Sequence, residues 1–170
     1  MPTTSVHTDP EERSVTLVAD LPVPVERLWV AFADPRQLER FWGPPTLPAT
    51  FTSFDLRPGG VAHYRMTSAE GEEFLSLWQV VEVDEPRRIV VRDLFATEDG
   101  AVDGSMPGSE TVLAFEATGP GSRVTLRTTF ASTEDLDQLL EMGMLEGYTQ
   151  AFGQLDAVVA DTAAPGQTRS

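Results

Sequence analysis

Three sets of side chains in this 170-residue chain have the types and spacing to do chemistry. Asp93 comes first. In the stretch from Arg88 to Ala96, strict strand alternation places it on the same face as Ile89, Val91 and Phe95. A carboxylate among apolar side chains has its pKa raised by desolvation, and it can orient a ligand or take a proton. The plainer expectation is an ion pair with Arg65, Arg92 or Arg127, or a bulge that turns the side chain outward. The second set, Asp99, Asp103, Gly104 and Glu110, matches positions one, five, six and twelve of a calcium loop between helices. Its third position is Ala101, its ninth is Pro107, and strand patterns flank it, so the match is expected to be coincidence. The third set is the two histidines. His7 lies in a polar, aperiodic start and His63 alternates with Tyr64 onto an outer face; with no cysteine in the chain, no metal site is expected. No serine sits in a nucleophile elbow, so the sequence does not support a serine–histidine–aspartate triad either.

Composition narrows the chemistry further. All 12 basic residues are arginine, and lysine, asparagine and cysteine are absent. That excludes Schiff-base and P-loop lysines, thiol nucleophiles, thiolate metal sites, disulfides and N-glycosylation. The formal charge of -15, from 27 acidic against 12 basic residues, opposes nucleic-acid binding, in which cationic side chains must neutralise phosphates. The joint absence of lysine and asparagine is what GC-rich coding produces, which makes a bacterial source the expectation. The segment from Met1 to Glu12 has neither a basic n-region nor an apolar h-region, and the apolar runs are too short to span a bilayer. A cytoplasmic protein with no membrane span and no cofactor is expected.

The elements that must position Asp93 are mostly antiparallel strands. Residues 1–13 and 163–170 are expected as loose tails around a single domain at 14–162. Ser14 to Leu21 reads as a strand. Val25 to Ala33 reads as a helix with Leu28, Trp29 and Phe32 on one face, and Asp34 and Pro35 open a second short helix. About six strands follow between Ala49 and Phe130, with Gly119, Pro120 and Gly121 closing a hairpin. Ser132 is the expected cap of one amphipathic helix running from Thr133 to Asp161, because Leu136, Leu139, Leu140, Met144, Tyr148, Phe152, Leu155 and Val159 recur at three and four residues. This order predicts an α+β domain whose sheet packs on the long helix, with a cavity wherever the sheet curls without filling the space.

Several motifs appear in one order: Leu21 to Phe32; Asp34-Pro35 with Leu38; Phe41 to Pro44; Asp55 to Gly60; Val80 to Pro86 with Arg88 to Val90; and Gly143 to Phe152. Together they resemble the SRPBCC superfamily, and more narrowly its branch named after the activator of heat-shock protein 90 ATPase. The resemblance implies the helix-grip fold: a curved antiparallel sheet of about six to seven strands, two short helices and a long C-terminal helix enclosing a hydrophobic cavity. It also implies a small hydrophobic or amphipathic partner, lipid-like or polyketide-like, held between sheet and helix by a monomer or homodimer. Two other functions belong to the same resemblance: a cyclase- or dehydratase-like enzyme using Asp93 or Tyr148, and a co-chaperone-like domain docking on a larger ATPase. The branch has no invariant catalytic set, so no catalytic residue is assigned.

For such a cavity the expected lining is Tyr64, Met66, Leu77, Gln79, Val91, Asp93 and Phe115 from the strands, with Met144, Tyr148 and Phe152 from the helix. Gly143 and Gly147, costly inside a helix, would mark close packing or room for a ligand. The loop Thr97 to Ser109 would serve as a lid at the mouth. Residue spacing alone would read all the apolar positions as ordinary core.

Overall fold

A computed structural model describes residues 3–160. Eight strands, β1 (Thr3–Asp9), β2 (Ser14–Leu21), β3 (Ala49–Phe54), β4 (Val61–Thr67), β5 (Glu73–Asp84), β6 (Arg88–Phe95), β7 (Ser109–Thr118) and β8 (Gly121–Phe130), form one sheet. Their order is β1-β2-β8-β7-β6-β5-β4-β3, and the ladders pairing them are antiparallel. Two short helices, α1 (Val25–Ala33) and α2 (Pro35–Trp42), connect β2 to β3. Asp34 caps α2 as expected, its carboxylate accepting from the Arg36 amide at 3.0 Å, with Pro35 at the first turn.

The N-terminal segment differs from the expected tail. Thr3–Asp9 pairs with β2 along its whole length. The Asp9 carboxylate accepts from the Glu11 and Glu12 amides at 3.1 and 3.2 Å, which makes a local turn of the polar, proline-bearing stretch that reads as disorder. Val6 then packs against the core. The strand count is therefore eight. The expected 163–170 tail lies outside the described residues.

The C-terminal stretch is helical in three pieces: α3 (Thr133–Glu141), α4 (Met144–Phe152) and α5 (Leu155–Ala160). Ser132 caps α3 through the Asp135 amide at 3.1 Å. The first break is at Gly143, whose φ of 92° is left-handed and ends the α-helical path. The second, at Gly153 and Gln154, is anchored by Gln154 Nε2, which donates to the Gly43 carbonyl at 2.7 Å. Apolar spacing continues across both breaks, which is why the periodicity reads as a single helix.

The core has a solid end. Phe32 of α1 meets Phe41, Phe115 and Phe152 at ring-centroid distances of 5.0, 5.1 and 6.1 Å. Leu155, Val158 and Val159 of α5 are buried in the same cluster. Arg27 binds that end together, donating to Gln37 Oε1 and to the Val158 carbonyl, both at 2.8 Å.

The two glycines have opposite roles. Gly143→Ala is expected to lower stability by about 1–2 kcal/mol, because a left-handed residue with a Cβ is strained. Gly147 lies inside α4, and a Cβ there would meet nothing within 4 Å. Gly147→Ala is expected to raise stability by about 0.5–1 kcal/mol through lower backbone entropy in the unfolded chain. Urea unfolding of the two variants reads both changes; shifts of the same sign would contradict this account.

Candidate functional site

Where α1, α2 and α5 end, the concave face of the sheet is not filled. Strands β4, β5 and β6 face α3 and α4 across a cavity of about 400 Å³. Its apolar wall includes Met66, Phe95, Phe130, Met144 and Phe152. Phe74 and Met142, 41% and 51% exposed, stand at its rim and mark where it reaches the surface.

Asp93 lies in this cavity on β6. Alternation sets it on the side of Ile89 and Val91, which belong to the core. Its cross-strand neighbours are Trp78 on β5 and Ser109 on β7. None of the three arginines expected as partners holds it. Arg65 instead approaches Glu73 at 3.6 Å, Arg127 approaches Glu12 at 3.5 Å, and Arg92 is exposed. The Tyr64 hydroxyl donates to Asp93 Oδ1 at 2.9 Å. Tyr64 is itself held by ring packing on Phe51 at 5.0 Å and Trp78 at 6.4 Å. The indole Nε1 of Trp78 is buried without a hydrogen-bond partner, yet close enough to favour the ionised carboxylate.

Desolvation dominates the electrostatics. Burial raises Asp93 from 3.8 to about 7, only partly opposed by Tyr64 and Trp78. Burial, and then the nearby Asp93 charge, hold the Tyr64 phenol well above its ordinary value. The same two causes, in the same order, raise Tyr148. A second polar track continues from Tyr148, whose hydroxyl lies 3.2 Å from Thr128 Oγ1, itself 3.1 Å from the buried Thr111 Oγ1. The cavity thus has an apolar wall, one carboxylate of near-neutral pKa and two un-ionised phenols. Such an arrangement can orient a polar head group or exchange a proton with it.

Six of the ten expected lining residues meet here: Tyr64, Met66, Asp93, Met144, Tyr148 and Phe152. The other four do not line the cavity. Val91 and Phe115 are buried in the solid end, where Trp29 and Phe32 cover Phe115 at 5.3 and 5.1 Å. Leu77 and Gln79 point to the opposite face, because β5 runs in the phase that turns Phe74, Ser76 and Trp78 inward. Leu77 is nonetheless 3% exposed, so it carries the burial of a core residue on the wrong side for the cavity. Sequence reasoning missed Trp42, Pro44, Leu47, Phe74, Leu139 and Met142. The usable signals were the period-two spacing of Phe74 with Trp78 and the glycine that follows Met142.

Most of the loop after β6 lies away from the cavity. Its tip is bound on the face opposite Tyr64, where His63 Nε2 donates to the Gly100 carbonyl at 3.0 Å and Nδ1 meets the Ser53 hydroxyl at 3.0 Å. Only Pro107 and Ser109 reach the cavity. Asp99 accepts from the Thr97 hydroxyl and Asp103 from the Ser105 amide and hydroxyl, so both acids close local turns. Among the described residues, no three His, Asp or Glu side chains are placed to hold a metal ion.

Residues 22–160 match the model of the family described as Activator of Hsp90 ATPase homolog 1-like protein. Among solved structures, the chain is similar to protein Ms6760 from Mycobacterium smegmatis, with 39% identity, 100% of each chain covered and a TM-score of 0.84. It is also similar to a protein from Arthrobacter aurescens, with 36% identity, 98% of each chain covered and a TM-score of 0.88. A protein from Silicibacter pomeroyi shares the fold at 22% identity, with 86% of this chain and 97% of that one covered and a TM-score of 0.69. A comparison with curated proteins returns no match.

The raised pKa of Asp93 fixes a sign. The folded protein holds this proton more tightly than the unfolded chain does, so the protonated group stabilises the fold. That contribution is complete below 3.8 and is lost as pH rises through about 7. Asp93→Asn keeps the size of the side chain and a carbonyl oxygen for Tyr64 while removing the charge. The variant is expected to be more stable than the parent by about 2–4 kcal/mol at pH 8, with the difference vanishing near pH 4. Denaturant midpoints at the two pH values measure this, and equal differences at both would contradict it.

Proposed function

The chain belongs to the family of Activator of Hsp90 ATPase homolog 1-like proteins, and from that premise we propose that it is a binding module holding one small hydrophobic or amphipathic molecule in the cavity between sheet and helices. The observation that carries this reading is the unfilled volume of about 400 Å³, within the usual range of roughly 300–1,000 Å³ for ligand sites. Its walls are mainly apolar and aromatic, and a few polar groups converge from Tyr64, Asp93 and Tyr148. Gly147 supports the same reading, since a helix interior gives up about 1 kcal/mol for glycine and here the missing side chain leaves room inside the cavity wall. A bacterial source and a cytoplasmic location form part of the proposal. Among the described residues, no helix is long and apolar enough to cross a membrane.

A second reading has its own observation. A carboxylate raised to about 7, bonded to a phenol and open to a cavity, is suited to moving a proton at neutral pH. On that reading the protein is an enzyme of the cyclase or dehydratase kind, with Asp93 as base and Tyr148 as a donor near the same ligand. Binding is a prerequisite of both.

The test is occupancy of the cavity. Nile red, a neutral dye whose emission responds to an apolar site, is expected to bind the parent protein. Gly147→Leu, which places a branched side chain in the open volume, is expected to weaken that binding by about tenfold or more, while circular dichroism shows the fold retained. Unchanged dye affinity in the variant would place the dye elsewhere and overturn the proposal.

A further inference from the structure

Asp93 is the only charged side chain that lines the cavity among the described residues. An ionised carboxylate in a desolvated site is favoured by a cation at short range, and no arginine or histidine of this wall supplies one. The Tyr64 hydroxyl donates to Oδ1 at 2.9 Å, and the other group that favours the ionised carboxylate is the Trp78 indole; both are neutral, so neither supplies a counter-charge. The rings of Trp42, Tyr64, Phe74 and Tyr148 line the same cavity, and aromatic rings attract cations through their electron-rich faces. No cationic side chain of the wall could pair with an anionic head. The chain as a whole carries -15, which draws cations toward it and repels anions.

We infer that the cavity selects an amphipathic amine, whose apolar body lies along the Met66, Met144 and Phe152 wall and whose protonated amino group pairs with Asp93. This inference rests on the binding reading above and adds to it the charge of the ligand. The amine supplies the counter-charge the wall lacks and donates to the carboxylate. An alcohol of the same shape can donate one hydrogen bond without the charge. A carboxylic acid would set a second negative charge beside the first, or require one of the two groups to stay protonated.

The same geometry gives a pH dependence. Amine affinity rises with pH while Asp93 gives up its proton and levels off once it is ionised. The other titratable groups facing it are Tyr64 from β4 and Tyr148 from α4, both held protonated by burial and by Asp93 itself. The neighbouring side chains from α2, β5, β7, α3 and the residue that ends α3 are Trp42, Ser76, Trp78, Ser109, Leu139 and Met142, all uncharged.

Phenylbutylamine, phenylbutanol and phenylbutyrate share one body and differ in head group, so competition of each against Nile red tests the inference on the intact chain. At pH 8 the amine is expected to displace the dye at a concentration about tenfold or more below that of the alcohol, with the acid weaker than both. Between pH 6 and pH 8 the amine affinity should climb, by at most about tenfold per pH unit for one linked proton, while that of the alcohol stays flat. Asp93→Asn, which relieves the buried charge, should bring the amine to the level of the alcohol and remove the slope. An acid that competes as well as the amine, an amine preference that survives Asp93→Asn, or a bound dye that none of the three displaces would overturn the inference and leave cavity binding standing. Failure of the dye and of all three probes to bind would overturn the binding reading, and the inference with it.

Discussion

Phe32 touches three aromatic side chains from three different elements, and that contact determines what the rest of the interior can be. With Phe41, Phe115 and Phe152 around it, one end of the helix-covered face is filled by aromatic rings, and Leu155, Val158 and Val159 of α5 are buried in the same cluster. The helices have no further bulk to spend on the other end. The cavity is therefore the remainder of a sheet of eight strands after a limited set of helices has covered part of it. Its position follows from the packing of the solid end.

The polar part of the site depends on the same division. Had an arginine reached Asp93, the carboxylate would have been held ionised and low, as Asp20 is by Arg123, whose Nε donates to it at 2.6 Å. That pair is only partly buried, at a place on the sheet where long side chains can run along the surface and meet. Beneath α4 there is no such route. The carboxylate is left with a phenol and an indole, neither of which carries charge, and desolvation sets its proton affinity.

Much of the fold was legible in the sequence. Proline and glycine mark the turns, Asp34 and Ser132 cap the helices they were expected to cap, and β-branched alternation marks the strands. The N-terminal strand was not, because its turn is built from Asp9, Pro10 and two glutamates that also suit a disordered tail, and its pairing with β2 is a tertiary fact. The helix breaks were hidden because apolar spacing crosses them, although Gly143 was visible as an anomaly. Site residues were legible where one face of a strand is apolar and the other polar, as in β4 with Tyr64 and Met66. They were illegible in β5, where Leu77 is buried on the outer face and Trp78 on the inner, so hydrophobicity cannot tell the two faces apart. The contribution of α2 and the following connection, through Trp42, Pro44 and Leu47, needed the third dimension.

Helix α4 is bounded by a left-handed glycine on one side and by the Gly153–Gln154 turn on the other, with Gln154 tied to the Gly43 carbonyl. It is a nine-residue panel set into a frame. Through Phe152 its last turn belongs to the frame, while Met144, Gly147 and Tyr148 face the open volume. Tyr148 is tied to Thr128 of β8 and Met144 packs against the cluster of Val15, Phe130 and Leu136, whereas a side chain added at Gly147 would meet only open space. A lineage carrying this architecture can thus change what it accommodates most readily at Gly147, and the same position is where a designer would begin to retune it.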